Sequence, residues 1–116
     1  MTIFFKSKDG VFNAKGAVKD EDHWYVYKGS CISPNEYPGI SKTVIALRNN
    51  NELVVNNILK KEIEFKSASM AAQFVCGYVI NGMVAWRTEN GDRISEHIKG
   101  KKRRPPKSED AGNSFN

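Results

Sequence analysis

Residues 65–86 of this chain, FKSASMAAQFVCGYVINGMVAW, predict a capped helix that packs closely on a sheet. Ser67 has the character of an N-cap, because its side-chain oxygen can accept a hydrogen bond from an amide of the first helical turn. Gly77 is placed to end the helix in a left-handed conformation. Helical spacing puts a narrow stripe of mostly small side chains on one face: Ala68, Ala71, Ala72, Val75 and Cys76.

The second half of the same stretch predicts a turn and a strand. Asn81-Gly82 is a pair typical of tight hairpin turns, and Met83 to Arg87 follows with β-branched and aromatic residues. Alternation along a strand would place Val84 and Trp86 on one face. We therefore expect Trp86 in the core.

The first third of the chain predicts an antiparallel meander. Three runs rich in residues that favour strands, Ile3–Lys6, Val11–Val18 and His23–Lys28, are joined by short polar links. Gly16 inside the second run indicates a bulge or a close backbone approach.

The middle of the chain predicts another helix and another strand. Ser41 is an N-cap candidate for a helix near Lys42–Val55, and Asn56-Asn57 is a plausible left-handed stop. Leu59, Ile63 and Phe65 would lie on one face of a following strand. The predicted fold is α+β, with a small, mostly antiparallel sheet and two helices on one of its faces.

The positive charge is concentrated at the C-terminus. The formal net charge is +5, and residues 99–107 carry six of the 18 basic side chains, whereas residues 1–98 hold 12 basic and 11 acidic ones. We predict one domain over 1–98 and a disordered basic tail over 99–116, whose composition cannot bury enough apolar surface to order itself.

No pattern in the sequence predicts catalysis, a metal or a cofactor. Cys31 and Cys76 are 45 residues apart, and neither His23 nor His97 has ligands at metal-binding spacing. A nucleophile with its base and oxyanion site is also missing. The apolar runs are too short to span a bilayer, and no signal peptide is visible. We expect a reduced, cytoplasmic, non-enzymatic protein.

The chain resembles the family called domain of unknown function 4357. In its second half, the resemblance rests on a capped Ser-Ala helix start, followed by a glycine, an Asn-Gly pair and a tryptophan. In its first half, it rests on a glycine and on a strand that ends in Gly-Ser. The matching positions are Ser67, Ser69, Ala71, Ala72, Gly77, Asn81, Gly82, Trp86, Gly16 and Val26-Tyr27-Lys28-Gly29-Ser30. Ala68 stands where the family has proline, and Met83 where it has an aromatic residue. The resemblance implies an α+β accessory module found with GIY-YIG nucleases and restriction–modification proteins.

Weak nucleic-acid binding is the predicted function, in support of a nuclease, methylase or defence system. The candidate residues form two groups. Cations of the tail would contact phosphates: Lys101, Lys102, Arg103, Arg104 and Lys107. Tyr25 and Tyr27 of the third predicted strand would stack on bases, with Lys28 as a cation beside them. Because the body is near neutral, a protein-interaction or dimerisation module without nucleic-acid contact remains the alternative. A protein partner from a DNA-processing system is compatible with both the nucleic-acid-binding and the protein-interaction function.

Overall fold

A computed structural model describes residues 1–97 of the chain. Its strands are β1 (Thr2–Lys6), β2 (Asn13–Asp20), β3 (His23–Val26), β4 (Val54–Val55), β5 (Ile58–Leu59) and β6 (Ile63–Phe65). Its helices are α1 (Lys42–Arg48), α2 (Ala68–Cys76), the single-turn α3 (Gly82–Ala85) and a 3-10 helix, Ile94–Glu96.

Four strands form one antiparallel sheet in the order β1-β2-β3-β6, and β4 and β5 form a separate hairpin. The predicted meander and α+β class are therefore confirmed. Gly16 lies so close to β3 that a Cβ atom there would collide with the carbonyl oxygen of Tyr25. The close backbone approach predicted at this glycine is thus confirmed.

Helix α2 has the limits and the buried face predicted from its sequence. The Oγ of Ser67 accepts a hydrogen bond from the Met70 amide at 3.1 Å. Gly77 adopts a φ of 81° and donates its amide to the Gln73 carbonyl at 2.8 Å. All five residues of the small stripe are buried, so the helix can lie close to β3 and β6.

The strand predicted over Met83 to Arg87 is wrong, because its first residues form α3. The Oδ1 of Asn81 accepts a hydrogen bond from the Met83 amide at 2.9 Å, which caps a helix where we expected a hairpin turn. Asparagine serves both purposes, and here its side chain caps a helix. Val84 is consequently 37% exposed, whereas Trp86 is fully buried.

The prediction of a helix as far as Val55 is also wrong, since α1 ends at Arg48. Asn56 and Asn57 have φ values of 53° and 66° and form the turn between β4 and β5. Two consecutive positive φ angles are what a tight hairpin turn requires, and asparagine tolerates them. Leu59 therefore lies in a different strand from Ile63 and Phe65.

Arg48 joins α1 to the C-terminal end of α2 and to the loop that follows β3. Its guanidinium is buried and donates to the carbonyl oxygens of Phe74, Ser33 and Asn35 at 2.6, 2.7 and 2.9 Å. Its Nε also donates to the Glu36 carboxylate at 3.2 Å. A single side chain thus satisfies two buried backbone carbonyls and one part-buried one.

Candidate nucleic-acid interface

The four-stranded sheet has one covered face and one open face. Alternate residues such as Ile3, Val18, Trp24 and Phe65 are buried against the rest of the core. Their neighbours in sequence point to the opposite face, where half-buried and exposed side chains lie. Binding by the sheet therefore has to occur on this second, open face.

Five residues from five chain segments form a line across the open face. Arg93 pairs with Arg87, Arg87 with Phe4, and Phe4 with Lys15. The Tyr27 amide donates to the Lys15 carbonyl at 2.8 Å, which brings Tyr27 beside Lys15. Directly paired residues of antiparallel strands project from the same face. We call Arg93, Arg87, Phe4, Lys15 and Tyr27 the cross-sheet row.

The cross-sheet row combines aromatic rings with positive charges. Phe4 and Tyr27 are half-buried, whereas Lys15, Arg87 and Arg93 are exposed. The Lys15 ammonium lies 6.0 Å from the centre of the Phe4 ring, at the limit of a cation–π contact. Rings that hold their orientation beside cations suit a ligand made of flat rings and anionic groups.

A second line of paired residues lies beside the row and has a different character. Ala17 pairs with Tyr25, and Tyr25 pairs with Glu64. At the start of β3, His23 Nδ1 lies 2.6 Å from the Asp20 carboxylate, and Nε2 lies 3.6 Å from the Glu64 carboxylate. Two carboxylates lie on this side of the face, whereas the cross-sheet row carries three cations and no carboxylate, so an anionic ligand would favour the row.

The pKa of His23 is raised from its ordinary value of 6.5, first by the hydrogen bond to Asp20 and also by the negative charges of Asp20 and Glu64. The pKa of Asp20 is lowered by the same hydrogen bond. Since the folded-state pKa of His23 is raised, its contribution to stability is fully present below about pH 6.5 and is lost as the pH rises through the folded-state value.

We expect an NMR titration of the His23 ring to give a pKa above 6.5, and Asp20→Asn to lower it. The substitution removes the negative charge and replaces the carboxylate with a neutral amide, whose oxygen is a weaker hydrogen-bond acceptor. Glu64→Gln should lower the pKa less, because Glu64 is farther from the ring. A His23 pKa unchanged by Asp20→Asn would contradict this arrangement.

The structure brings together only part of the predicted set of site residues. Tyr25 and Tyr27 share the open face and are half-buried, in separate lines of residues. Lys28 is exposed just after β3. The neighbouring Ser30 is buried, and its Oγ bonds to the amide and carbonyl of Lys15 at 3.1 Å each. This hydroxyl therefore has a structural role. The remaining candidates lie outside the described residues: Lys101, Lys102, Arg103, Arg104 and Lys107.

Four members of the cross-sheet row were missed in the sequence: Arg93, Arg87, Phe4 and Lys15. A signal existed for two of them. Phe4 lies between Ile3 and Phe5, both buried, and Arg87 follows the buried Trp86, so alternation would have placed both on the opposite face. The near-neutral count for the body also concealed the local grouping of cations, because a net charge carries no positions.

A groove of about 1010 Å³ opens at the edge of the sheet where β1 meets residues 80–91. Phe4 and Arg87 belong both to the cross-sheet row and to the wall of this groove. Its other walls include the apolar side chains of Ile80 and Val84 and the polar side chain of Asn13. The groove and the row therefore form one continuous surface.

Residues 1–97 contain no group of three or more His, Cys, Asp or Glu side chains that could hold a metal ion. Within the same residues, no helix combines the length and the apolar character needed to cross a membrane. Cys31 and Cys76 are free thiols, and burial raises the pKa of Cys76.

Comparison with known proteins identifies the family. No curated protein and no solved structure matches the chain. The model of the family described as domain of unknown function (DUF4357) matches residues 3–98, which include every strand and helix described above apart from Thr2, the first residue of β1. The chain therefore belongs to the DUF4357 family.

Proposed function

We propose that this protein is a non-enzymatic accessory module that binds single-stranded nucleic acid on the open face of its sheet. The observation that carries the proposal is the cross-sheet row, in which Phe4 and Tyr27 lie on either side of Lys15. Nucleobases stack on aromatic side chains, and phosphates pair with neighbouring cations. The same row extends to two further cations, Arg87 and Arg93.

A single strand suits this surface better than a duplex. Stacking on a protein ring requires an unpaired base, since bases in a duplex are already stacked on each other. Five adjacent chain segments at the usual strand spacing span about 19 Å, which is enough for a few nucleotides. The aromatic contacts tolerate any base, so the face alone would supply affinity with little sequence preference.

The basic tail would add affinity of a less selective kind. Its cations lie outside the described residues, and a run of positive charges attracts any polyanion. The proposed biological setting, beside a nuclease, methylase or defence enzyme in the cytoplasm, rests on the family resemblance alone. Nucleic acid is the proposed partner, with a protein of a DNA-processing system as a second one.

Fluorescence anisotropy with labelled single- and double-stranded oligonucleotides would test the proposal. We expect Tyr27→Ala in the full-length chain to weaken single-strand binding by about 5- to 150-fold, because one stacked base contributes about 1–3 kcal/mol. Lys15→Gln should also weaken it. The matched controls are Tyr78→Ala and Lys42→Gln, which change exposed residues away from the open face.

The salt dependence of binding distinguishes the contribution of the open face from that of the basic tail. A variant with glutamine in place of Lys101, Lys102, Arg103, Arg104 and Lys107 should keep single-strand binding. The slope of log affinity against log salt should then become shallower and reach about −2, the value expected for three phosphate contacts on a single strand. Absence of single-strand binding by the intact protein at low salt, or equal loss in the control variants, would contradict the proposal.

A second candidate function is protein binding, which an exposed apolar cluster favours. The rings of Tyr37 and Tyr78 meet edge to face with their centres 6.2 Å apart, and both are exposed. Val79 is 59% exposed and approaches Gly39. If oligonucleotides fail to bind, this cluster is the surface to test, by measuring whether Val79→Asp alters self-association in analytical ultracentrifugation.

A further inference from the structure

The groove at the end of the cross-sheet row deepens the proposed function, and the following inference rests on that function. We propose that the groove receives one unpaired nucleobase of the bound strand, and that it prefers a base with an exocyclic amino group over thymine or uracil. The open face would then supply general affinity, and the groove would supply a base preference at one position.

The walls of the groove suit a flat ring with a polar edge. Ile80, Val84 and Ala85 provide apolar surface on one side, and the half-buried ring of Phe4 provides another. A volume of about 1010 Å³ is at the upper end of the usual range for small-molecule sites, so a single base fits without displacement of the walls. Apolar walls with a few polar groups are the usual composition of such sites.

The polar groups of the groove define which base edge it prefers. Glu89 places an exposed carboxylate in the wall, and Asn13 adds an exposed amide. A carboxylate accepts hydrogen bonds from the amino groups of bases, and an asparagine amide can pair with adenine through two bonds. Thymine and uracil lack an exocyclic amino group and offer the carboxylate only their ring N3–H, so they match this carboxylate and amide less well.

Two cations line the groove and could pair with backbone phosphates. The groove therefore suits a base attached to a phosphate backbone better than a neutral apolar group. These cations are Lys6 and Arg87, and both are exposed. Arg87 Nη1 donates to the Gly91 carbonyl at 3.2 Å, which holds this side chain near the turn that forms part of the wall. Since Arg87 belongs to the cross-sheet row as well, a strand that follows the row passes directly over the groove.

The test uses the full-length chain with an eight-residue oligothymidine and the same oligonucleotide carrying one adenine or cytosine. We expect the amino-bearing base to strengthen binding about 5-fold or more. In amide NMR spectra it should shift Val84 and Ala85, whereas both oligonucleotides should shift Lys15 and Tyr27 in the cross-sheet row. A matched oligonucleotide with an abasic site should behave as oligothymidine does.

Two variants assign the base preference to the groove. Val84→Trp should place a bulky ring in the groove and weaken the preference, whereas Val79→Trp, at an exposed site outside the groove, should leave the preference unchanged. Glu89→Gln should reduce the preference without adding bulk. Circular dichroism verifies that each variant is folded.

The outcomes separate the inference from the proposed function. Oligothymidine binding with face shifts but no base preference would overturn the groove inference and leave the proposed function intact. A preference that survives both Val84→Trp and Glu89→Gln, or an equal loss of affinity for all oligonucleotides in these variants, would also overturn it. No shift at the face or the groove with any oligonucleotide would overturn both.

Discussion

Arg48→Ala is expected to lower the free energy of unfolding by about 3 kcal/mol or more. The Arg48 guanidinium donates to the carbonyls of Phe74, Ser33 and Asn35, and the side chain is only 4% exposed. A buried acceptor left without its partner costs about 1–3 kcal/mol, and alanine would leave two of them, at Phe74 and Ser33, together with the part-buried carbonyl of Asn35. It would also remove the link between α1, the end of α2 and the loop after β3.

Chemical denaturation monitored by circular dichroism or tryptophan fluorescence measures this loss. For a domain of this size, about 3 kcal/mol corresponds to a fall of roughly 12–24 °C in the melting temperature. Arg48→Lys should cost less than alanine, because an ammonium can still reach some of the carbonyls. Glu36→Gln should change stability by less than about 1 kcal/mol, since its side chain is 36% exposed and solvent screens the pair.

A loss with Arg48→Ala no larger than that with Glu36→Gln would contradict the structural role of the buried guanidinium. Such a result would mean that water satisfies the three carbonyls once the side chain is removed. The comparison separates the carbonyl contacts from the ion pair, because only Arg48→Ala affects both.

Gly82→Ala is expected to destabilise the protein by about 2–3 kcal/mol, although helix propensity predicts the opposite sign. Alanine is favoured over glycine by about 1 kcal/mol inside a helix. At Gly82, however, a Cβ atom would collide with the backbone of Ala68 and Ser69 at the start of α2. The backbone cannot yield as a flexible side chain does, so overpacking should dominate.

The contact at Gly82 is supported by hydrogen bonds on both sides. The Gly82 amide donates to Ser69 Oγ at 2.9 Å, and the indole of Trp86 donates to the Ala68 carbonyl at 3.2 Å. Val84→Ala in the same short helix is the matched control. It should change stability by no more than about 0.5 kcal/mol, because Val84 is 37% exposed. A stabilised Gly82→Ala protein in thermal unfolding would contradict the packing of α3 on α2.

Helix α2 was predictable because its signals are local. Ser67, Gly77 and the small stripe all lie within 11 consecutive residues, and each acts on backbone groups or on one helix face. Capping needs one side chain near the amides it satisfies, and burial of a stripe needs only the period of the helix. The confirmed caps and the buried stripe follow from this short range.

The roles of Asn81 and of Asn56-Asn57 were predicted wrongly, because asparagine is favoured both at helix ends and in hairpin turns. Asn81 caps α3 instead of making a hairpin turn, and Asn56-Asn57 makes a hairpin turn instead of ending a helix. Asn56 and Asn57 adopt positive φ angles, whereas Asn81 has an extended backbone. The choice between alternatives depends on long-range contacts such as that of Gly82 with Ala68.

The candidate site shows most clearly which features depend on local sequence and which depend on tertiary structure. Alternation around Phe4 and around Trp86 is a property of the sequence, and it decides which side chains face away from the core. Strand register decides which of these become neighbours, and it brings together Phe4, Lys15, Tyr27 and Arg87, which are far apart in the chain. A shift of one residue in any pairing would turn that strand's side chains to the other face. Only the folded sheet, whose buried face fixes the register, could therefore place aromatic rings and cations side by side.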